Sequence, residues 1–431
     1  MVAMTDDTKR HRREVLKLGA VAGAAGTVGL GRMAVGAGDT HTTPAALPDR
    51  APPREYENYR TRRVPEDHDT IQAAVSAANP RDLVLVGPGR YTEEVRVLDT
   101  PNITIRGRDR NRVVLDGEGT RYNGIIALAD GVVMENLTAT GYAYNAFYWT
   151  GVDGYRGSYL TAVNNGDYGL YAFDSVNGRF EHSYAAGHPD SGFYIGQSNP
   201  SHARVENVVA ERNGIGYSGT NAGGNLVLRD SVWRHNMGGI VPNTLDSEAL
   251  APQSAMRIEN NEVYDNNNAD APAKAFGYAA FGTGINVAGG RDNEIVDNDV
   301  TGHVNFGIGA IPMIDANLWR PGGNRVHDNR VADSGRADLA LGAPVRDGNR
   351  FANNDVSSSR PGSLTDDGML GDLMTGVGDP WLTLSLGKQY LQAELGEYPH
   401  GDWRGGPDPP ERKPMPNPER PPREAVGPRR N

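Results

Sequence analysis

The stretches DYGLYAFDS (Asp167–Ser175) and DSGFYIGQS (Asp190–Ser198) carry one pattern at a spacing of 23 residues. In each stretch an acidic residue is followed by a glycine, an apolar residue and a tyrosine. A pattern that returns at a fixed step in this range indicates a repeat architecture. The spacing therefore predicts that the chain comes back to the same edge of the molecule about every 23 residues.

The repeat extends well beyond this pair. An Asn or Asp recurs at steps of 22 or 23 just before an apolar strand start, at Asn123, Asn145, Asp167, Asp190, Asn213 and Asn236. The predicted strand starts are Ile125, Phe147, Leu170, Phe193, Ile215, Ile240, Ile285 and Ile308. Between them lies a second series, such as ENVV (206–209) and DNDV (297–300). Each unit thus holds two or three short strands with Gly and Asn at its corners.

No unit contains a helix-length segment, which excludes the helical repeats. A coil of about 23 residues with three short strands is one turn of a right-handed parallel β-helix. The predicted fold class is therefore all-β, a solenoid whose inward side chains stack into one column. Asn and Asp suit the corners because they tolerate left-handed backbone. Stacked on one corner, they are also able to bond along the axis as a ladder.

The entry segment TIQAAVSAANPRDLVLVGPGRYTEEVRV (70–97) combines an amphipathic helix, a strand and a Gly-rich turn. With the repeat, it resembles the pectin-lyase-like superfamily over roughly residues 60–360. Ile71, Ala74, Val75 and Ala78 share one helical face, which we expect to cap the first coil. The family acts largely on polysaccharides, but the short catalytic motifs of its polygalacturonases, pectate lyases and mannuronan epimerases are incomplete here. The resemblance therefore implies the fold more strongly than an activity.

The N-terminal sequence HRREVLKLGAVAGAAG (11–26) resembles a twin-arginine export signal through Arg12 and Arg13. That resemblance implies export of an already folded protein to the periplasm, the cell surface or the medium; the alternative is a basic N-terminal helix. We predict a signal segment over 1–37 and a linker over 38–60. No other apolar run is long enough to span a bilayer. The chain has no cysteine, which excludes disulfides and thiolate chemistry.

The β-helix domain is predicted over 61–360, followed by a C-terminal cap over 361–400 with one helix near Leu386–Leu395. Residues 401–431 hold nine prolines, which favour an extended or disordered tail. The alternative is that Trp403 and Met415 dock this tail along the solenoid.

Strand alternation directs Tyr148, Tyr171 and Tyr194 outward, one above another, with Phe173 on the same face. An exposed aromatic ladder suits the apolar faces of sugar rings, so we expect a polysaccharide partner in an external groove; the alternative is a ladder covered by the chain's own loops. Polar contacts are expected at the strand ends, from Gln197, Asn221 and Asn243. Three long insertions, 243–255, 266–284 and 311–323, are expected to wall the groove and carry Glu248, Lys274 and Trp319. A formal net charge of −11 argues against nucleic acid as a partner. We expect a monomer.

Candidate catalytic residues lie in the same coils. For a hydrolase, Asp174 and Asp246 are the predicted acid and base. For a lyase, His188, Lys274 or a tyrosine is the predicted base beside a uronate. No cofactor or metal site is predicted, although calcium at Asp-rich corners is chemically possible. Three functions stay open at this point: a lyase, hydrolase or epimerase; a non-catalytic carbohydrate-binding or surface protein; and an accessory factor of an exported enzyme.

Overall fold

The computed structural model describes residues 50–365, 377–396 and 401–428. The predicted signal segment 1–37 lies outside these residues. The described chain winds into a solenoid with three parallel sheets of twelve, eleven and ten strands. Each coil contributes one strand to each sheet, so neighbouring strands in a sheet come from successive coils.

The three sheets are named first, second and third in order of decreasing strand number, and each coil passes from the first sheet to the third and then to the second. The first sheet contains Thr61–Val64, Leu83–Val86, Thr104–Gly107, Val132–Glu135, Asp153–Ser158, Val176–Glu181, Ala203–Glu206, Gly223–Arg229, Ser254–Glu259, Glu294–Val296, Arg325–His327 and Arg350–Ala352. The third sheet contains Gly89–Tyr91, Val113–Asp116, Thr138–Thr140, Thr161–Val163, Tyr184–Ala186, Val209–Glu211, Val232–Arg234, Glu262–Tyr264, Asp299–Thr301 and Arg330–Ala332. The second sheet, which carries the candidate site, contains Val95–Val97, Ile125–Ala127, Phe147–Thr150, Leu170–Phe173, Ser191–Gly196, Ile215–Thr220, Gly238–Asn243, Ile285–Ala288, Phe306–Ile311, Ala337–Leu341 and Ser359–Arg360. A short hairpin of Met313–Ile314 and Leu318–Trp319 stands outside these sheets.

The core is a continuous apolar column inside the coils. On the second sheet, Phe147, Leu170 and Phe193 occupy matching positions on successive strands and are fully buried. The next residue in that column is Tyr217, whereas the sequence predicted Ile215. Ile215 instead packs in a separate cluster with Val241, because the strand starts two residues before the column position.

The corners carry the predicted asparagine ladder. The side-chain amide of Asn213 donates to Asn236 at 2.9 Å, and that of Asn236 donates to Asn266 at 2.9 Å. All three residues are fully buried. A buried amide that bonds to the next coil satisfies its polar atoms and fixes the register between coils.

Both ends of the column are closed. Helix α1, Ile71–Ser76, is capped by Thr70, whose hydroxyl accepts from the Ala73 amide at 3.0 Å; its buried face joins the core as predicted. At the far end, the 3-10 helix Gly362–Thr365 inserts Leu364 into the core. The predicted C-terminal helix spans Pro380–Glu394 (α2), beginning earlier than expected because Asp379 caps it. It packs on the outer side of the second sheet near Phe306 rather than over the last coil.

The proline-rich tail lies along the solenoid in an extended form that includes a short 3-10 turn, Trp403–Gly405. The Met415 amide donates to Asn136 at 2.8 Å, and the Met415 side chain is buried. The Arg106 guanidinium donates to the carbonyls of Pro418 and Arg420. These contacts match the docked alternative rather than a free tail. Within the described ranges, no helix is both long and apolar enough to cross a membrane.

Candidate functional site

Three tyrosines form a row on the outer face of the second sheet. Tyr148, Tyr171 and Tyr194 hold matching positions on successive strands, as alternation predicts. The ring centroids of Tyr148 and Tyr171 are 4.8 Å apart, and those of Tyr171 and Tyr194 are also 4.8 Å apart. Phe173 extends the row sideways, with its centroid 6.1 Å from that of Tyr171. Parallel pairing in exact register places the rings directly above one another.

A fourth ring, from Tyr168, joins this row from the turn before the strand Leu170–Phe173. Its centroid lies 4.3 Å from that of Tyr171 with the two planes 13° apart, and 5.1 Å from that of Tyr194. We call the surface of Tyr148, Tyr168, Tyr171 and Tyr194 the tyrosine groove. Sequence reasoning missed Tyr168, although it stands inside the repeated phrase, because strand alternation does not predict directions in turns.

The groove is open over part of its length. Tyr148, Tyr168 and Tyr171 are half-buried, whereas Tyr194 is only 2% exposed. Burial raises the pKa of Tyr168, Tyr171 and Tyr194 well above the ordinary value, so their hydroxyls stay protonated at neutral pH. The groove therefore presents neutral aromatic surface with hydroxyl donors.

The loop 244–253 covers Tyr194 and is held by two predicted site residues. The Asn221 amide donates to the carbonyls of Leu245 at 2.7 Å and Glu248 at 2.8 Å. The Gln197 side-chain oxygen accepts from the Ala249 amide at 2.9 Å. At the base of the loop, Asn243 accepts from Thr220 at 2.8 Å. These polar side chains position the loop, which differs from the sugar contacts expected from the sequence.

The loop brings a glutamate into the groove. A Glu248 carboxylate oxygen accepts from the Tyr194 hydroxyl at 2.7 Å. Burial raises the pKa of Glu248 to about 7, and the charge of Asp190 adds to the shift, although the Tyr194 hydrogen bond opposes it. A carboxyl group with a pKa near 7 exchanges protons readily at physiological pH. The sequence placed Glu248 on an insertion but assigned it no role.

Lys274 enters from the insertion between the strands Glu262–Tyr264 and Ile285–Ala288. Its ammonium contacts Asp167 and lies 3.3 Å from an Asp190 oxygen. Burial alone lowers the pKa of Lys274, but the charges of Asp190 and Asp167 outweigh it and raise that pKa. Lys274 is therefore protonated, and the lyase prediction that made it a base does not fit this geometry.

Asp167 is the aspartate that the Lys274 ammonium contacts most closely. Burial raises its pKa to about 6; the Lys274 charge opposes that shift, and the Asp190 charge adds to it. The two aspartates and Lys274 together carry a net negative charge whenever both carboxyls are ionised. The Lys274 nitrogen also lies 5.7 Å from the centroid of the Tyr168 ring, which joins the ion-paired group to the tyrosine groove.

Asp246 braces two loops instead of facing the groove. Its carboxylate accepts from the Asn317 amide nitrogens, backbone and side chain, at 2.7 Å each. Its own backbone amide donates to Asp315 at 2.8 Å. Burial acts to raise the pKa of Asp246, but the hydrogen bonds from Asn317 lower it on balance. A carboxylate held ionised in this way is unsuited to donate a proton as a general acid.

Asp174 directly follows the strand Leu170–Phe173; burial raises the pKa of Tyr148, and the Asp174 charge adds to that shift. Asp174 is exposed in a left-handed turn with φ of 51°, and no hydrogen bond or ion pair between described residues joins it to Asp246. Trp319 is half-buried in the hairpin opposite Met313. The predicted acid and base pair therefore does not form a unit in the described structure.

His188 lies inside the coil, not in the groove. It is fully buried, with Nδ1 2.8 Å from the Asn213 side-chain oxygen and Nε2 3.2 Å from the Asn165 amide. Burial lowers the pKa of His188 to about 4, although the bond to Asn213 opposes the shift. The imidazole takes the place of an asparagine in the ladder, so we do not retain it as a general base. Among the described residues, no group of three or more His, Asp or Glu side chains is placed to hold a metal ion.

The repeat, the three parallel sheets and the outward groove define a right-handed parallel β-helix protein. Residues 145–312 match the family described as "Right handed beta helix region". No curated protein matches the chain.

Solved structures share the fold at low sequence identity. Geobacillus virus E2 ORF18 is 12% identical, with a TM-score of 0.51, over 68% of this chain and 59% of that one. The A-module of the Azotobacter vinelandii mannuronan C-5 epimerase AlgE4 is 16% identical, with a TM-score of 0.46, over 69% and 92%. An alginate lyase from Paenibacillus sp. str. FPU-7 is 16% identical, with a TM-score of 0.42, over 70% and 99%. At these identities the likeness concerns the fold alone.

Proposed function

We propose that this protein is a polysaccharide-active enzyme that binds a sugar chain in the tyrosine groove and uses Glu248 to move a proton. The observation that carries the proposal is the Glu248 carboxyl, which has a pKa raised to about 7 and is hydrogen-bonded to Tyr194 beside half-buried rings. Perturbed carboxyls in clefts are typical of acid and base catalysts.

The rings supply the binding surface. The C–H faces of a pyranose are apolar and pack on aromatic rings, while its hydroxyls bond at the edges. Tyr168 and Tyr171 are stacked nearly parallel, so together they present a rigid platform. Rigid aromatic side chains bind with little loss of conformational entropy. Half-burial of these two rings leaves surface available for such a ligand.

The two protonation states of Glu248 supply the chemistry. In its protonated form Glu248 is able to donate to a leaving glycosidic oxygen, and in its ionised form it is able to accept a proton from a sugar carbon or a water. A lyase or epimerase removes a proton beside the uronate carboxylate and must also deliver one, to the leaving oxygen in a lyase and to the opposite face of the same carbon in an epimerase. A hydrolase needs a second carboxylate. Asp190 is the carboxylate whose charge acts on Glu248, and it takes the place that the sequence assigned to Asp174 and Asp246.

A binding module without catalysis is the second candidate. It is favoured by the ion pairing of Lys274 with Asp167 and Asp190, because these charges already satisfy one another. It is also favoured by the use of Asn221 and Gln197 to hold a loop.

We also propose that the protein acts outside the cytoplasm as a monomer. The support is the Arg12-Arg13 pattern followed by an Ala/Gly-rich stretch. Expression of the full chain in a host with and without a functional twin-arginine pathway, followed by cell fractionation, tests this location. Cytoplasmic retention in both hosts would contradict it.

The activity is tested by incubating the protein with neutral and uronate polysaccharides, with and without calcium, while reducing ends and unsaturated products are measured. We expect product from one polysaccharide and its loss in Glu248→Gln, which keeps an acceptor for Tyr194. Glu262→Gln is the matched control, because Glu262 is exposed on the third sheet.

The readouts separate the reaction classes. Unsaturated product indicates a lyase, and reducing ends without unsaturation indicate a hydrolase. Binding by the unmodified protein without reducing ends, without unsaturated product and without a change in uronate configuration by NMR supports the second candidate and refutes catalysis. Equal activity of Glu248→Gln and the unmodified protein would remove Glu248 from the mechanism.

A further inference from the structure

We propose that Tyr122 and Tyr144 form a second sugar-binding surface that continues the tyrosine groove toward the N-terminal coils. This inference rests on the proposed function, because it assigns the same polysaccharide to both surfaces. It implies that the sugar chain runs along the solenoid axis and crosses several coils.

The two tyrosines belong to the same corner column as the ion-paired aspartates. The Tyr144 amide donates to the Tyr122 carbonyl at 2.9 Å, and the Asp167 amide donates to the Tyr144 carbonyl at 2.9 Å. The Asp190 amide continues the series by donating to Asp167 at 3.1 Å. The column therefore consists of Tyr122, Tyr144, Asp167 and Asp190 on four successive coils. Asp167 is followed directly in the sequence by Tyr168. The aromatic pair therefore lies in the same corner column, one coil before the turn that carries Tyr168.

The pair has the geometry of a stacking platform. The ring centroids of Tyr122 and Tyr144 are 5.5 Å apart, with the planes 22° from parallel. Tyr122 is 58% exposed, and Tyr144 is half-buried beneath it. A single exposed tyrosine needs no explanation, but two ordered rings stacked at the open end of an aromatic groove form a larger apolar surface. Such a surface suits the face of a pyranose.

The docked tail borders the same column. A side chain at Gly166 would place its Cβ 3.2 Å from the Trp403 ring, so the indole lies against the turn just before Asp167. The Arg404 guanidinium covers the Trp403 ring at 4.3 Å from its centroid. The tail therefore lies against one side of this column, at the turn before Asp167.

Coil spacing sets the length of sugar that the two surfaces require. Adjacent parallel strands lie about 4.8 Å apart, so Tyr122 is about 10 Å along the axis from the coil of Tyr171. That distance corresponds to roughly two pyranose rings of an extended chain. Short oligosaccharides therefore fill only one surface, whereas chains of about four or more sugars reach both.

Length-resolved binding tests the inference. Calorimetric titration would use oligosaccharides of two to six residues from the cello-, xylo-, galacturonate and mannuronate series. In a series that binds the full-length protein, we expect Tyr122→Ala to weaken the hexasaccharide about three- to tenfold. The shortest binding member should be unchanged, and Tyr122→Phe should match the unmodified protein because it keeps the ring.

The outcomes distinguish the two proposals. If no series binds the unmodified protein, the proposed function fails and this inference fails with it. Suppose that the unmodified protein binds a series, but that Tyr122→Ala lowers the affinity for every chain length equally or for no chain length. The second surface is then refuted, while binding in the tyrosine groove is not. Because Tyr122 is exposed, the thermal midpoint of Tyr122→Ala should stay close to that of the unmodified protein. A large drop in the midpoint would mean that the lost affinity comes from impaired folding and not from a lost sugar contact, which would overturn the assignment.

Discussion

Replacing Glu248 by glutamine should stabilise the protein above neutral pH. The pKa of Glu248 rises from 4.5 to about 7 on folding, so the folded state holds its proton more tightly than the unfolded state. The stability that this proton confers is present below pH 4.5 and is lost as pH rises through about 7. Glutamine is neutral throughout and still accepts the Tyr194 hydrogen bond, so it should escape this loss.

The magnitude follows from the shift. Each pKa unit corresponds to about 1.4 kcal/mol, so the full shift corresponds to about 3 kcal/mol. Because Glu248 retains some exposure to solvent, we expect a gain of about 1–3 kcal/mol for Glu248→Gln at pH 8. At pH 4 both proteins carry a neutral side chain, and the difference should shrink toward zero. A variant that loses activity but gains stability is typical of a functional carboxyl whose buried position destabilises its ionised form.

Urea unfolding of the unmodified protein and of Glu248→Gln between pH 4 and pH 8.5 measures the effect. The other titrating groups are the same in both proteins, so their contributions cancel when the two free energies of unfolding are subtracted. Glu262→Gln removes the same charge from an exposed position and should change stability by less than about 0.5 kcal/mol at any pH. A Glu248→Gln difference that does not vary with pH, or that is negative at pH 8, would refute the reasoning from burial.

Three further predictions concern residues around the groove and the tail. His188→Asn should reduce the loss of stability between pH 6.5 and pH 4, because in that range the histidine of the unfolded chain binds a proton while the buried imidazole, with a pKa lowered to about 4, stays neutral; an unchanged acid profile would contradict its place beside Asn213. Lys274→Met should lower the unfolding free energy at pH 8 by about 1–3 kcal/mol, because Asp167 and Asp190 lose their partner, and the deficit should narrow at pH 5, where Asp167, whose pKa burial raises to about 6, takes up a proton; a pH-independent deficit would indicate lost packing instead. Deleting residues 405–431 should lower the thermal midpoint by several degrees and leave a folded solenoid by circular dichroism; an unchanged midpoint would mean that the tail contacts contribute nothing.

Much of the groove was predictable because strands obey a simple rule. Side chains alternate along a strand, and parallel strands in register stack equivalent positions. Tyr148, Tyr171 and Tyr194 could therefore be placed on one outer face from their spacing alone. The same rule failed at Ile215, because Phe193 pairs with Tyr217, 24 residues on, and the apolar residue at the expected step of 22 is therefore not the one in the column.

The candidate catalytic residue was not predictable in this way. Asp246 and Glu248 are two residues apart on one loop, and nothing in the local sequence says which one enters the groove. Hydrogen bonds from Asn221 and Gln197, which come from other coils, set the path of the loop and aim Glu248 at Tyr194. Likewise the local sequence of His188, two residues before Asp190, indicates only a turn residue near an acid. Contacts with Asn165 and Asn213 on the neighbouring coils show that it replaces an asparagine in the buried ladder.

The sequence by itself determined the repeat, the direction of the strand side chains and the positions of the insertions, because these depend on local periodicity. Only the tertiary structure decided which acid faces the tyrosines, that Lys274 is paired, and that the tail lies on the solenoid. Those features depend on contacts between residues far apart in the chain. The free energy of such contacts comes from burial and from hydrogen bonds that form only after the coils have stacked.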